Sequence, residues 1–154
     1  MTKKKHKVPN NALRNEKTIR KPIVKEQFGD DSGSPTWIFS KFDVYSKRWG
    51  MGIFEENFNF IFDKLKSFES MSWHTIKKQT HDKGVSSHHG IKIESLSKDA
   101  KDRLEEIKMD DLVEVFSLRI TNTFRIIGIK DGRCFGFLWI DPNHEVCPSL
   151  KKHT

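Results

Sequence analysis

The chain predicts an α+β fold: a small antiparallel sheet with helices packed on one face, preceded by a basic disordered tail. Three observations carry this expectation. The run from Leu112 to Ser149 reads as three consecutive strands joined by short turns. Met51 to Phe68 carries its apolar residues at helical spacing. The charge is divided unevenly: residues 1–28 hold nine Lys/Arg and two Asp/Glu, while residues 29–154 hold nineteen of each, so the whole net charge of +7 lies in the first segment. Strands following helices place such a chain in the α+β class.

In chain order, residues 1–28 combine dense positive charge with few large apolar side chains, a composition that does not support a packed core. Lys3, Lys4, Lys5 and Lys7 head this segment. Two readings stand side by side, an arm for RNA or ribosome phosphates and a solubilising tail. Residues 29–35, GDDSGSP, are a linker by composition. The division is thus a tail and linker over 1–35 and a folded domain over 36–154. Thr36 to Phe42 is a first strand. In the Met51–Phe68 helix, Phe54, Phe58, Ile61, Phe62, Leu65 and Phe68 form one stripe, expected in the core. A second short helix or turn starts at Ser70. GVSSHHG, residues 84–90, reads as a loop, with a short extension at Ile91–Ile93. Ser97 caps a helix from Lys98 to about Lys108 whose stripe is Ala100, Leu104 and Ile107.

The three strands allow pairing arithmetic. Asp131-Gly132 is a strong hairpin signal, and centring the turn there pairs Lys130 with Arg133 and Ile126 with Phe137. Phe124, Ile126, Phe135, Phe137 and Trp139 then share the core face, because side chains alternate along a strand. Arg125, Ile127 and Ile129 take the opposite face. If the preceding turn is symmetric about Asn122, Arg119 lies directly opposite Arg125. Like charges so placed destabilise a sheet, so the pair either holds a shared anion or is two solvated arginines with carboxylate neighbours.

Several function classes lose their usual support. Dinucleotide, P-loop, zinc-protease and nucleophile-elbow motifs are all missing. Cys134 and Cys147 form neither a disulfide framework nor a CxxC site, which fits a reducing cytoplasm. No apolar run reaches membrane-spanning length. His88-His89 in a Ser/Gly loop lacks a partner at ligand spacing, so neither a metal nor another cofactor is expected. His144-Glu145, after the last strand, is the better chemical candidate: histidine exchanges protons near neutral pH, and a neighbouring carboxylate can orient it or act as base. With Arg119 and Arg125 these residues supply what metal-independent RNA cleavage needs: a base, a cation for the charged phosphorane and an acid. Lys151, Lys152 and His153 add positive charge near the end.

The run LRITNTFRIIGIKDG, followed by an apolar strand and a histidine near the C-terminus, resembles the YoeB-like branch of the RelE/ParE toxin superfamily. The pattern is Arg119-Ile120-Thr121, then Phe124-Arg125, then Ile126-Ile127. The resemblance spans roughly residues 36–149 and is strong over 112–146. It implies a small α+β domain that cleaves mRNA, commonly on the ribosome, and is restrained by a cognate antitoxin. It also implies a phosphate-binding role for Arg125 and a catalytic one for His144, with Glu145 assisting. The chain departs from the pattern in continuing through Pro148 to Thr154, and in its basic tail and long Phe-rich helix. Two alternatives remain, a non-catalytic basic module for RNA or the ribosome and a ParE-like gyrase inhibitor.

Overall fold

A computed structural model describes residues 31–149. The tail lysines Lys3, Lys4, Lys5 and Lys7, and Lys151 and Lys152, lie outside the described residues. The element order is β1 (Thr36–Ile38), α1 (Met51–Glu56), α2 (Phe58–Glu69), α3 (Trp73–Lys78), β2 (Thr80–His81), β3 (Val85–Ser86), β4 (His88–Lys92), α4 (Lys98–Glu106), β5 (Glu114–Arg119), β6 (Arg125–Asp131) and β7 (Cys134–Asp141). The main sheet runs β1-β7-β6-β5-β4, and β2 and β3 form a separate two-stranded ribbon.

The three-stranded meander forms as the sequence predicts, and two strands extend it. At one edge β1 pairs with β7 in parallel, so the sheet is mixed rather than purely antiparallel. The parallel pairing follows from the connection: α1 to α3 carry the chain across one face before it returns through the meander. At the other edge β4 pairs with β5. The stretch read as the loop GVSSHHG therefore holds β3 and the start of β4; cross-strand pairing overrides its Ser and Gly content. Asp31 to Pro35, a linker by composition, is tied down: Asp31 forms ion pairs with Lys77 and Lys130, and Gly33 accepts from the Trp73 amide.

Both faces of the sheet carry a core, which corrects the expectation of helices on one face. On the first face, Ile61, Leu65, Phe68, Trp73 and Ile76 of α2 and α3 pack on Phe116, Leu118, Ile126, Phe135, Phe137 and Ile140. On the second, Ala100 and Leu104 of α4 join Trp49, Leu96 and Val146 over Val115, Ile127, Leu138 and Trp139. Ser97 caps α4, its hydroxyl accepting from the Ala100 amide. At the centre of the sheet Gly128 leaves room for an aromatic ring: a Cβ there would lie 2.4 Å from the Phe135 ring and from the Gly136 carbonyl oxygen.

The β6–β7 hairpin turns on Gly132 and Arg133, with Asp131 opposite Cys134 and Lys130 opposite Phe135. Gly132 takes a φ of 55° there. The pairing sum differs by two residues from the one centred on Asp131-Gly132, which preserves every face assignment near the turn. A bulge then changes the parity. Gly128 pairs with Phe137 but Ile127 pairs with Trp139, leaving Leu138 as the extra residue. Trp139 consequently lies in the second core, not beside Phe137 as strict alternation requires.

The Phe-rich helix is also two helices, broken at Asn57. Ile61, Leu65 and Phe68 are buried, but Phe58 and Phe62 are 48% and 50% exposed and stack on each other at 5.6 Å. With Trp37, Phe39 and Phe54 they line an open groove. The stripe thus identifies the helix correctly, but two of its members are not core.

Candidate functional site

The second face of the sheet extends past the α4 core into a polar cleft. Arg119 and Arg125 are directly opposite each other in the β5–β6 register, as a turn symmetric about Asn122 requires. The turn is fixed by the Thr121 hydroxyl, which accepts from the Phe124 amide, and by the Ile120 amide donating to the Phe124 carbonyl. Arg119 donates to the Asn122 side chain. Arg125 donates through Nη1 to the Thr121 carbonyl at 2.6 Å and to the Phe124 carbonyl at 3.2 Å.

Arg125 is only 7% exposed. Among the described residues neither guanidinium is in an ion pair. The reading of two solvated arginines with carboxylate neighbours therefore does not describe Arg125. Burial, and then the charge of Arg119, weigh against its charged form, and the nearby Asp141 supports it. A guanidinium keeps its charge through such shifts, so the pair forms a concentrated positive site with donors left over.

Asp141, opposite Arg125 on β7, is fully buried. It makes the structural contribution in the turn that follows. Its two carboxylate oxygens accept from the amides of Glu145 and Val146, each at 2.9 Å. Burial raises its pKa, opposed by these two amides. The turn they close places His144 at a φ of 55°, in the left-handed region, and drives Val146 into the second core. The Val146 carbonyl accepts from the Ser97 amide, locking the turn to the start of α4.

A cleft of about 230 Å³ results, lined by Arg125, His144, His89, Ser117, Cys147 and His81 among others. His144 is held below the usual imidazole range, first by burial and then by the charges of Arg125, Arg119 and His89. It is therefore biased toward the neutral, proton-accepting form. Burial raises the pKa of the Cys147 thiol, the opposite of what a reactive thiolate needs.

The structure brings together Arg119, Arg125 and His144 from the sequence-derived set. It draws Glu145 away: its carboxylate accepts from Arg48 Nη2 at 2.7 Å and Nε at 3.1 Å. Arg48 also pairs with Asp99 and lies over the Trp49 ring. Glu145 thus joins the loop before α1 to the last turn instead of serving His144.

The vicinal histidines diverge because successive strand residues face opposite ways. His88 is buried on the first face. Its Nδ1 accepts from the Arg119 amide at 3.0 Å, and its Nε2 is 2.8 Å from the Gln79 amide oxygen. Those two bonds define a neutral ring protonated at Nε2. His89 faces the cleft, which the sequence reading missed; alternation along a strand would have found it had residues 88–92 been recognised as one. Among the described residues no group of three His, Cys, Asp or Glu side chains is gathered as a metal ion requires. No helix among them is long and apolar enough to cross a membrane.

No family model matches this chain, and neither a curated protein nor a solved structure shows significant similarity to it.

Proposed function

We propose that this protein is an endoribonuclease of the RelE/ParE type, the toxin of a toxin–antitoxin pair, cleaving mRNA on the ribosome through the cleft of Arg125 and His144, with Arg119 beside it. The observation that carries the reading is Arg125: a 7%-exposed guanidinium, opposite a second arginine, with neither in an ion pair among the described residues. Two cations forced together on adjacent strands cost stability, and burial of the Arg125 guanidinium adds to that cost, with Asp141 nearby but engaged by the amides of Glu145 and Val146. A bound phosphate offsets the repulsion between the two arginines and uses their remaining donors, and the planar fork of arginine suits its oxygens.

The chemistry follows from the lining. His144, biased toward its neutral form, takes the proton of a ribose 2′-hydroxyl. The oxygen attacks the adjacent phosphorus, and Arg125 and Arg119 stabilise the negative charge that grows on the phosphorane. The basic segment ahead of the domain supplies further phosphate contacts, and the ribosome and a cognate antitoxin are the partners this reading implies.

The test is cleavage of mRNA by the full chain, with and without translating ribosomes, compared with Arg125→Ala and Arg125→Lys. Loss of one transition-state donor lowers cleavage by roughly 10²–10³, and lysine restores only part. The Ala variant also loses two bonds to the Thr121–Phe124 turn, so thermal melting is measured alongside. Wild-type activity surviving both changes would remove the proposal.

One observation favours a second reading. The withdrawal of Glu145 to Arg48 leaves His144 without the carboxylate helper expected for it. The same arginine clamp without proton transfer is a phosphate-binding module for RNA or the ribosome. Salt-dependent RNA binding by a wild-type protein that never cleaves would identify it.

A further inference from the structure

Resting on the endoribonuclease reading, we infer that His89 is the second proton-transfer group of this cleft, so that RNA is cleaved between two imidazoles set around Arg125. The placement comes from the sheet. His89 lies opposite Ser117 on β5, and Ser117 lies opposite Ile127 on β6. Arg119 and Arg125 are two positions further along those same strands and on the same face. His144 arrives at the cleft from the opposite side, on the turn after β7. His89, Arg125 and His144 line one cavity.

Vicinal histidines on an edge strand have divided their work. His88 is committed at both ring nitrogens to the Arg119 amide and to Gln79. His89 is exposed, and among the described residues its ring makes no hydrogen bond or ion pair. An exposed imidazole at the cleft rim reloads its proton from solvent, as an acid that turns over must. The site needs such a group, because Glu145 is held by Arg48.

The step balances with these two residues. His144 accepts the 2′-hydroxyl proton as the 2′-oxygen forms its bond to phosphorus. The bond from phosphorus to the 5′-oxygen breaks, and the departing oxygen takes its proton from the His89 imidazolium. The products are a 2′,3′-cyclic phosphate and a 5′-hydroxyl end. The charged and titratable groups around the pair are Arg119 of β5, Arg125 of β6, Asp141 of β7, His81 of β2 and Cys147 beyond β7.

The experiment compares wild type, His89→Ala and His144→Ala on two mRNA substrates across pH, using the full chain and translating ribosomes. One substrate is ordinary RNA. The other has sulfur in place of the bridging 5′-oxygen at the cleaved linkage, a leaving group that needs no proton. On ordinary RNA, His89→Ala should lose roughly 10²–10⁴ in rate and the alkaline limb of its pH profile. On the sulfur substrate it should return to near the wild-type rate, while His144→Ala stays slow on both. A merely structural role for His89 would not produce that rescue. His89→Ala cleaving ordinary RNA at the wild-type rate, or staying slow on the sulfur substrate, overturns the assignment and leaves the endoribonuclease reading standing. A wild-type protein that cleaves neither substrate overturns both.

Discussion

Acidification should destabilise this protein through His88. The ring is buried, its Nδ1 receives the Arg119 amide, and the edge of Phe68 packs against it at 5.4 Å. Burial and the nearby charges of His89, Arg125 and Arg119 lower its pKa from 6.5 to about 4. Because the folded value is depressed, the unfolded chain takes up this proton first. The stabilisation is fully present above pH 6.5 and is lost as pH falls from 6.5 toward 4. At about 1.4 kcal/mol per pH unit the loss reaches about 3 kcal/mol, a large share of the ~5–15 kcal/mol that holds a domain together. His144, also lowered, acts in the same direction. Asp141, raised by burial, acts against both as its carboxyl protonates early. The His88 share is isolated by urea unfolding at half-unit steps from pH 7.5 to 4, comparing wild type with His88→Gln, which keeps a donor and an acceptor but does not titrate. The difference in stability between the two should narrow by about 3 kcal/mol across that range. Two pH curves that run parallel would refute the assignment of a neutral, doubly bonded His88.

Two further outcomes test the packing. Ile61→Ala, at a fully buried position, should cost about 2–5 kcal/mol, whereas Phe62→Ala, at a half-exposed one, should cost less than about 1 kcal/mol by urea unfolding; equal costs would mean that the aromatic groove is covered in the intact chain. Arg103→Ala should cost about 3–5 kcal/mol in the same assay, because it strips the ion pair from Asp43, whose side chain is 3% exposed and is otherwise held by the Trp139 indole; joining it to Asp43→Asn should recover part of the loss.

What the sequence revealed and concealed follows from which forces act locally. The β5–β7 meander was legible because alternation and two turns fix it within forty residues. The Arg119–Arg125 pairing followed from one symmetric turn. Residues whose place depends on distant partners were not legible. Trp49 enters the second core from a loop with no periodicity, so nothing announced a core there. Phe58 and Phe62 share the helical stripe with Ile61 and Leu65, but a stripe records which face is apolar and not how far the sheet beneath it extends. β4 carries two His and a Gly, and only the exposed edge of β5 makes it a strand. Glu145 sits beside His144 in sequence, yet the left-handed residue between β7 and Val146 separates the two side chains.

The extra residue at Leu138 acts on β7 as a frameshift acts on a message. Before it, odd-numbered side chains read out to the aromatic layer under α2 and α3; after it, even-numbered ones do. Drawing that residue into the ladder opposite Ile127 would transpose those that follow, pushing the Asp141 carboxylate among Phe and Ile side chains and turning Ile140 toward Arg125. The anchor for the His144 turn would be lost together with the anion cleft. The chemistry at the end of this strand is therefore written in a phase set three residues upstream, and a graft of the Arg125 and His144 cleft, with Arg119 beside it, into another sheet must carry the bulge with it.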